Sequence, residues 1–149
     1  MLDRNHCDGC PLDGLYEHPA EALGDTSAPY MLVSDTPSRN SFMKGMLIAT
    51  TAMDVLKDGL RSARFATKDF YIAPQIRCPH DPTEFTTKEK RLIQQKCREH
   101  LLDDIHEFKP EAVLPMGAEP SRQILGKAVK ITKVRGILEH SSELKTKVF

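Results

Sequence analysis

Four cysteines, arranged as one tight pair and two distant single residues, constrain the fold of this 149-residue chain more than any other feature. Cys7 and Cys10 form a C-x-x-C pair in a polar N-terminal stretch, whereas Cys78 and Cys97 lie far downstream. The N-terminus does not resemble a signal peptide, so we expect a reducing compartment, where cysteines bind metals more often than they form disulfides. The spacing therefore predicts one four-cysteine site that fastens the N-terminal stretch to two separate parts of the fold.

The chemical nature of that site stays open at this point. A zinc ribbon normally has two tight cysteine pairs, and this chain has one pair and two single cysteines. That spacing suits an iron–sulfur cluster held by four thiolates better. Buried cysteines that act as small hydrophobic residues are the alternative, which fits Cys97 alone but fits Cys7 and Cys10 poorly. A zinc-stabilised interaction module is also compatible with the cysteine count.

Short apolar runs alternate with helical periodicity after residue 28. The runs predict strands over 30–33, 70–73 and 112–116, and the last residues, 145–149, resemble a further strand. Helical spacing predicts helices over 47–62, 87–108 and 118–125, a short helix over 19–23, and two extended pieces within 131–138. Alternation of strands and helices is typical of an α/β fold with three α/β/α layers and a mostly parallel central sheet.

The helix over 87–108 has the strongest signals in the chain. A capping box, Thr86 followed by Glu89, predicts its start, and Pro110 predicts its end. Its apolar stripe repeats every four residues and consists of Ile93, Cys97, Leu101 and Ile105. The pattern therefore predicts that Cys97 points towards the core.

The formal net charge of zero conceals a charge asymmetry along the chain. Residues 1–30 carry six acidic residues and one basic residue, and residues 118–149 carry seven basic and three acidic residues. The balance excludes a simple polybasic nucleic-acid binder, but a basic C-terminal part is compatible with an anion such as a phosphate backbone. No apolar run approaches the roughly 20 residues of a membrane span, so we expect a cytoplasmic protein without membrane contact.

Several motifs occur in an order that is specific even though each one alone is weak. The chain has Cys7-Asp8-Gly9-Cys10-Pro11-Leu12, then the loop Ser34-Asp35-Thr36-Pro37-Ser38 after a strand, then Arg77-Cys78-Pro79, Cys97-Arg98-Glu99-His100-Leu101, Lys109 to Ala118, and Ile131 to Gly136. With these motifs the chain resembles the family 4 uracil-DNA glycosylases, the iron–sulfur members of the uracil-DNA glycosylase superfamily, as a divergent relative.

The resemblance implies a uracil-DNA glycosylase fold whose N-terminal loop is bound to a 4Fe–4S cluster. The cluster ligands would be Cys7, Cys10, Cys78 and Cys97. Asp35 takes the place of the family's catalytic acidic residue, usually Glu, which positions or activates the attacking water. DNA, single- or double-stranded, is the implied partner, and the implied phosphate contacts are Arg39, Lys44, Lys133 and Arg135.

The substrate pocket departs from the family pattern. The implied pocket residues are Ser34, Thr36, Ser38, Ile48 and Pro74. Ile48 replaces the phenylalanine on which a flipped uracil stacks, and Pro74 replaces the asparagine that binds the uracil edge. Ser34 and Ser38 replace glycines that allow close approach to the nucleotide. These departures leave open whether the pocket is catalytic, and Asp35 could instead cap the turn that follows it.

The family's second catalytic motif, a loop with a histidine that stabilises the leaving uracil anion, is not clearly present; His140-Ser141-Ser142 is a faint match. We therefore expect one domain over residues 1–149, cut short before that motif or degenerate, as in the glycosylase-like N-terminal domains of larger replication proteins such as phage DNA polymerases. Two functions remain: hydrolytic excision of uracil from DNA, or a catalytically degenerate 4Fe–4S domain that binds DNA in a larger replication or repair protein.

Overall fold

The structure, a computed structural model, describes residues 4–141 and 144–149. The strands are β1 (Tyr30–Ser34), β2 (Phe70–Pro74), β3 (Ala112–Pro115), β4 (Glu139–Ser141) and β5 (Thr146–Val148). The helices are α1 (Arg39–Met43), α2 (Thr50–Ser62), α3 (Thr87–Phe108), α4 (Ala118–Leu125) and α5 (Ile131–Val134). Short 3-10 helices span Arg4–Cys7, Thr67–Asp69 and Pro82–Glu84.

The five strands form one mostly parallel sheet in the order β2-β1-β3-β5-β4. The β1–β2, β1–β3 and β3–β5 pairs are parallel, and only the β4–β5 pair within this sheet is antiparallel. In the β1–β2 register, Ser34 pairs with Pro74, so both strands end at the same level. Pro74 closes an edge strand, which is where a residue without an N–H is tolerated. The predicted sheet type is therefore confirmed.

Helices cover both faces of the sheet. Met31 and Val33 of β1 pack in a core cluster with Leu101 of α3, whereas Leu32, whose side chain points the other way, packs in a second cluster with Ile48. Residues of α2, including Leu56, pack against that second cluster. The alternation along β1 therefore separates two cores, and the predicted α/β class with helices on both faces of the sheet is confirmed.

The long helix α3 matches its prediction from end to end. Thr86 accepts a hydrogen bond from the Glu89 amide, and the Glu89 carboxylate accepts one from the Thr86 amide, as the capping box requires. Cys97 is 7% exposed, so the predicted inward direction of its side chain is confirmed. The helix ends at Phe108, and the next residue, Lys109, caps it in a left-handed conformation directly before Pro110.

Two local predictions are wrong, and the start of one predicted helix is shifted. The predicted helix over 19–23 is absent, because Leu23 exchanges two backbone hydrogen bonds with Ile72, at 2.7 and 2.8 Å, and covers the outer edge of β2. Pairing with a sheet edge overrides the weak local helical signal there. The first extended piece predicted within 131–138 is instead the helical turn α5. The predicted helix over 47–62 begins later, at Thr50.

None of the helices in the described part of the chain is long and apolar enough to cross a membrane.

Candidate metal centre and candidate active site

The four cysteines line one small cavity between the N-terminal loop and α3. Cys7 ends a 3-10 helix, and its carbonyl accepts a hydrogen bond from the Cys10 amide at 2.8 Å, which holds both residues in one turn. Cys78 lies in a buried segment that follows β2, and Cys97 lies in the middle of α3. Residues from three distant parts of the chain therefore meet at one place, as the cysteine spacing predicts.

Apolar packing surrounds this cavity. Leu12, Ile76 and Ile93 form a core cluster with Cys78 and Cys97, separate from the two cores that flank the sheet. Burial raises the pKa of the Cys97 thiol to about 11, against a lowering by the Arg77 amide that donates to its sulfur. The charged forms of Cys10 and Cys7, which would repel a nearby thiolate, contribute to the same rise in pKa. Such a thiol ionises readily only when a cation compensates its charge.

Polar contacts hold the N-terminal loop on α3 beside this cavity. The Nε2 atom of His100 lies 3.5 Å from the Sγ atom of Cys7, and the His6 and His100 rings meet edge to face with centroids 5.1 Å apart. The Nε2 atom of His6 lies 2.6 Å from Oδ2 of Asp103. His100 is 4% exposed, and sequence reasoning missed it because a single histidine in a helix has no ligand spacing.

Four cysteines can bind either one zinc ion or an iron–sulfur cluster, and the two differ in how far apart the sulfur atoms lie. Within residues 4–141 and 144–149, no group of three or more His, Cys, Asp or Glu side chains is arranged to hold a metal ion. One tetrahedral zinc ion requires sulfur atoms within about 4 Å of each other, given a Zn–S bond of about 2.3 Å. In a 4Fe–4S cluster each thiolate binds a different iron atom, so the sulfur atoms surround a space instead. Four cysteine thiols lining one cavity are donors of the type that either group uses, so the 4Fe–4S cluster stays a prediction.

A second polar site lies at the carboxyl edge of the sheet. Asp35 directly follows β1, and Gln75 directly follows β2, so the parallel pairing places them side by side. The backbone N–H of Gln75 donates to the Ser34 carbonyl at 2.8 Å, which extends the pairing of β1 and β2 by one residue. Ligands of open α/β sheets bind outside the carboxyl ends of the strands, so this edge is the candidate active site.

Asp35 and Gln75 are joined by a short hydrogen bond. The Nε2 atom of Gln75 donates to Oδ1 of Asp35 at 2.6 Å, and the Thr36 amide donates to the same oxygen at 2.7 Å. Since a carboxylate accepts, the Gln75 nitrogen must face Asp35, and its Oε1 atom must point elsewhere. Gln75 is 3% exposed, and its buried Oε1 has no hydrogen-bond partner among the described residues. A buried acceptor without a donor is costly unless a ligand supplies one.

Most of the chain, including this site, matches a known protein family. Residues 21–148 match the model of the uracil DNA glycosylase superfamily. The chain belongs to the uracil DNA glycosylase superfamily. The match includes Asp35, Gln75 and two of the four cysteines, whereas Cys7 and Cys10 precede it. Membership makes the chain glycosylase-like and supports DNA as its partner.

The predicted pocket residues of this superfamily member differ in position and in exposure. Ser34 and Pro74 are buried at the paired ends of β1 and β2, and Thr36 is half-buried. Ile48 is 8% exposed and packs in the core on the α2 side of the sheet. Ser38 is exposed and caps α1, where its hydroxyl accepts from the Ser41 amide at 3.1 Å. Their roles towards a base stay predictions.

The four predicted DNA contacts are exposed and form two groups. Arg39 begins α1 and Lys44 follows it, so both lie just after the Asp35 loop. Lys133 belongs to α5, and Arg135 lines a cavity together with Gly117 at the end of β3. Exposure at these positions is compatible with phosphate contacts, which also stay predictions.

Gln75 is the site residue that sequence reasoning missed. Motif alignment assigned the uracil-binding amide to the position of Pro74, which has no side-chain amide. The glutamine one residue later was a visible signal, but only the parallel register shows that its side chain reaches Asp35.

Proposed function

We propose that this chain excises uracil from DNA by hydrolysis of the N-glycosidic bond, with Asp35 and Gln75 at its active site. The observation that carries the proposal is the 2.6 Å hydrogen bond between these side chains at the carboxyl edge of the sheet. Membership of the uracil DNA glycosylase superfamily supports the reaction class and the DNA partner.

Asp35 would position and deprotonate the attacking water. Its Oδ1 atom is held by Gln75 and by the Thr36 amide, and its side chain is exposed, so Oδ2 is accessible to a water molecule. The water oxygen bonds to C1′ of the deoxyribose while the C1′–N1 bond breaks. The bonding electron pair leaves with N1 of uracil, and Asp35 accepts the proton from the water.

Gln75 would supply the amide that Pro74 lacks. With its nitrogen fixed by Asp35, its Oε1 atom is a buried acceptor without a partner among the described residues, and the N3–H group of a flipped uracil that reached it would be a donor of the matching kind. One side chain would thereby orient the catalytic carboxylate and bind the base edge.

The proposal includes a 4Fe–4S cluster on Cys7, Cys10, Cys78 and Cys97, as in the family 4 enzymes that the sequence resembles. Support comes from their shared cavity and from the apolar walls of that cavity. When bound, the cluster would supply a covalent link between the N-terminal loop, the segment after β2 and α3, and its assembly would be coupled to folding. Its dependence on reduced thiols suits the cytoplasm.

A uracil-release assay on single-stranded DNA tests the enzyme. Asp35→Asn should lower the rate at least 100-fold, because an amide cannot accept the proton from water. Asp25→Asn is the matched control, since Asp25 also accepts a backbone N–H, from Ser27 at 2.8 Å, in a loop before β1. Full activity of the Asp35 variant would reject its catalytic role.

A catalytically inactive DNA-binding domain is the second candidate function. It is favoured by Ile48, which is buried in a hydrophobic core and itself offers no aromatic face for a flipped base. DNA binding without uracil release by the longest natural form of the protein would establish this second function and refute the first.

The cluster has its own test. Anaerobically purified protein should be brown, absorb near about 400 nm, and contain iron and sulfide in equal amounts. A colourless protein with one bound zinc ion would contradict the cluster and support a zinc-stabilised module.

A further inference from the structure

A basic groove between α3 and α4 shares no lining residue with the cysteine cavity and does not include Asp35 or Gln75. Its charged lining residues are Arg91 and Arg98 from α3, Glu119 and Arg122 from α4, and Lys127 from the loop after α4. Four cations and one anion give the groove a charge of +3. We call this surface the α3–α4 groove.

The walls of the α3–α4 groove are held in place by hydrogen bonds between the helices. The Nε atom of Arg98 donates to the Gln123 carbonyl at 2.9 Å, and the Nε2 atom of Gln123 donates to the Gln94 carbonyl at 3.2 Å. Gln123 is 7% exposed, so these bonds lie at the base of the groove. These bonds fix the position of α4 relative to α3, and with it the backbone positions from which the cationic side chains extend.

Two of the cations have acidic neighbours that do not cancel the field of the groove. Arg122 forms an ion pair with Glu119 one turn earlier on α4, and the Nζ atom of Lys127 lies 2.7 Å from Oε2 of Glu139. Both pairs are solvent-exposed, and such pairs contribute little energy, so a polyanion can compete for these cations. Even with Glu139 included, the net charge stays at +2.

We propose that the α3–α4 groove binds the sugar-phosphate backbone of DNA beyond the active-site edge. Arg91 and Arg98 are seven residues apart on α3, which is about 10.5 Å along the helix axis, or about three nucleotides of one B-DNA strand. Three of the four cations are arginines, whose planar donor fork suits phosphate.

The lining of the groove favours nucleic acid over an acidic protein. Among the described residues, the only apolar ones that line the groove are Gly126 and Ala128, whereas protein interfaces normally have a large apolar or aromatic centre. Protein–DNA interfaces are polar and cationic, as this groove is. Since α4 begins directly after β3, the α4 side of the groove starts near the carboxyl edge of the sheet, where Asp35 also lies.

The test compares two triple variants that remove the same charge. Arg91→Gln, Arg122→Gln and Lys127→Gln are combined, and Arg98 is left intact because it holds the Gln123 carbonyl. The control combines Lys57→Gln, Arg61→Gln and Lys68→Gln, all exposed positions on or near α2. The control is matched because Arg61 pairs with Asp58 just as Arg122 pairs with Glu119.

The readout is the salt dependence of binding to a fluorescein-labelled single strand without uracil, followed by anisotropy. Loss of three phosphate contacts should reduce the slope of log K against log salt by about 2, given about 0.7 per contact on single strands. The control triple should keep the wild-type slope. An unchanged slope in the groove variant, an equal loss in the control, or no DNA binding by the wild type would overturn the proposal.

This inference depends on DNA binding and not on uracil excision, so the two proposals can fail separately. A protein that releases no uracil but shows the slope change supports the groove and refutes the proposed reaction. If the protein releases uracil but the groove variant keeps the wild-type slope, the proposed reaction is supported and the groove proposal is refuted. Far-UV circular dichroism of both triple variants shows whether they are folded.

Discussion

Arg77 and Asp104 form an almost fully buried ion pair, with 2.6 Å between Nη2 and Oδ2 and side-chain exposures of 3% and 15%. The Nη1 atom of Arg77 also donates to the Ala20 carbonyl at 3.0 Å, so one side chain joins the N-terminal loop, the segment after β2 and α3. Burial raises the pKa of Asp104, and the Arg77 guanidinium opposes that rise. The pair therefore connects these three segments beside the cysteine cavity, which Arg77 also lines.

Asp104→Asn should destabilise the protein by about 2–4 kcal/mol, because it leaves the Arg77 charge buried without its counter-ion. Asp103→Asn is the matched control: Asp103 is 55% exposed, and its pair with His6 should contribute less than about 1 kcal/mol. Urea unfolding followed by circular dichroism measures both. An equal loss of unfolding free energy in the two variants would show that the Arg77–Asp104 pair stabilises the fold no more than the exposed pair does.

Gln75→Leu should lower kcat/KM for uracil release by about 10- to 100-fold, through the loss of hydrogen bonds to Asp35 and to the base. Gln75→Glu should lower it further, since a second carboxylate would repel Asp35 at 2.6 Å. Gln95→Leu, at an exposed position of α3, is the control. Wild-type kinetics in the Gln75→Leu variant would remove Gln75 from the active site.

Cys97→Ser should abolish the iron-dependent absorbance, because a serine hydroxyl is a poor ligand for cluster iron. Ile93→Val, one turn earlier on the same buried stripe, should cost about 0.5–1.5 kcal/mol of stability and keep the absorbance. Iron analysis of the two purified variants separates ligation from packing. Undiminished iron in Cys97→Ser would exclude that residue as a ligand.

The capping box of α3 should make stability depend on pH in the acidic range. Hydrogen bonds from the Thr86 side chain and backbone to Glu89 lower the pKa of its carboxyl from the usual value of 4.5. A lowered pKa means that the charged form stabilises the fold above about pH 4.5, and that this contribution is lost as the pH falls through the lower value.

Unfolding midpoints of wild type and Glu89→Gln should therefore differ at pH 7 and converge towards pH 3. Glu99→Gln, at an exposed position of the same helix, is the control and should show no such convergence. A difference for Glu89→Gln that stays constant between pH 7 and pH 3 would contradict the role of its charge.

The sequence predicts best those elements whose first and last residues are marked by local signals, such as a capping box or a proline. α3 was predictable because its capping box, its apolar stripe and Pro110 are all local in sequence. The segment near Leu23 was not, since its backbone pairs with Ile72, 49 residues away, and no local pattern records such a partner. The same reason explains the candidate site. Asp35 was visible from its motif, but the contact of Gln75 with it depends on the parallel register of β1 and β2.

Gln75 and Cys78 belong to one buried stretch of backbone, three positions apart. At one end the stretch is fixed to the carboxylate of Asp35, and at the other it supplies a cysteine to the cavity. An inserted or deleted residue would turn one of these side chains away from its partner while the other stayed in place. The number of residues between Gln75 and Cys78 therefore fixes the distance between the two sites, and a sequence that keeps both sites must keep this spacing as well.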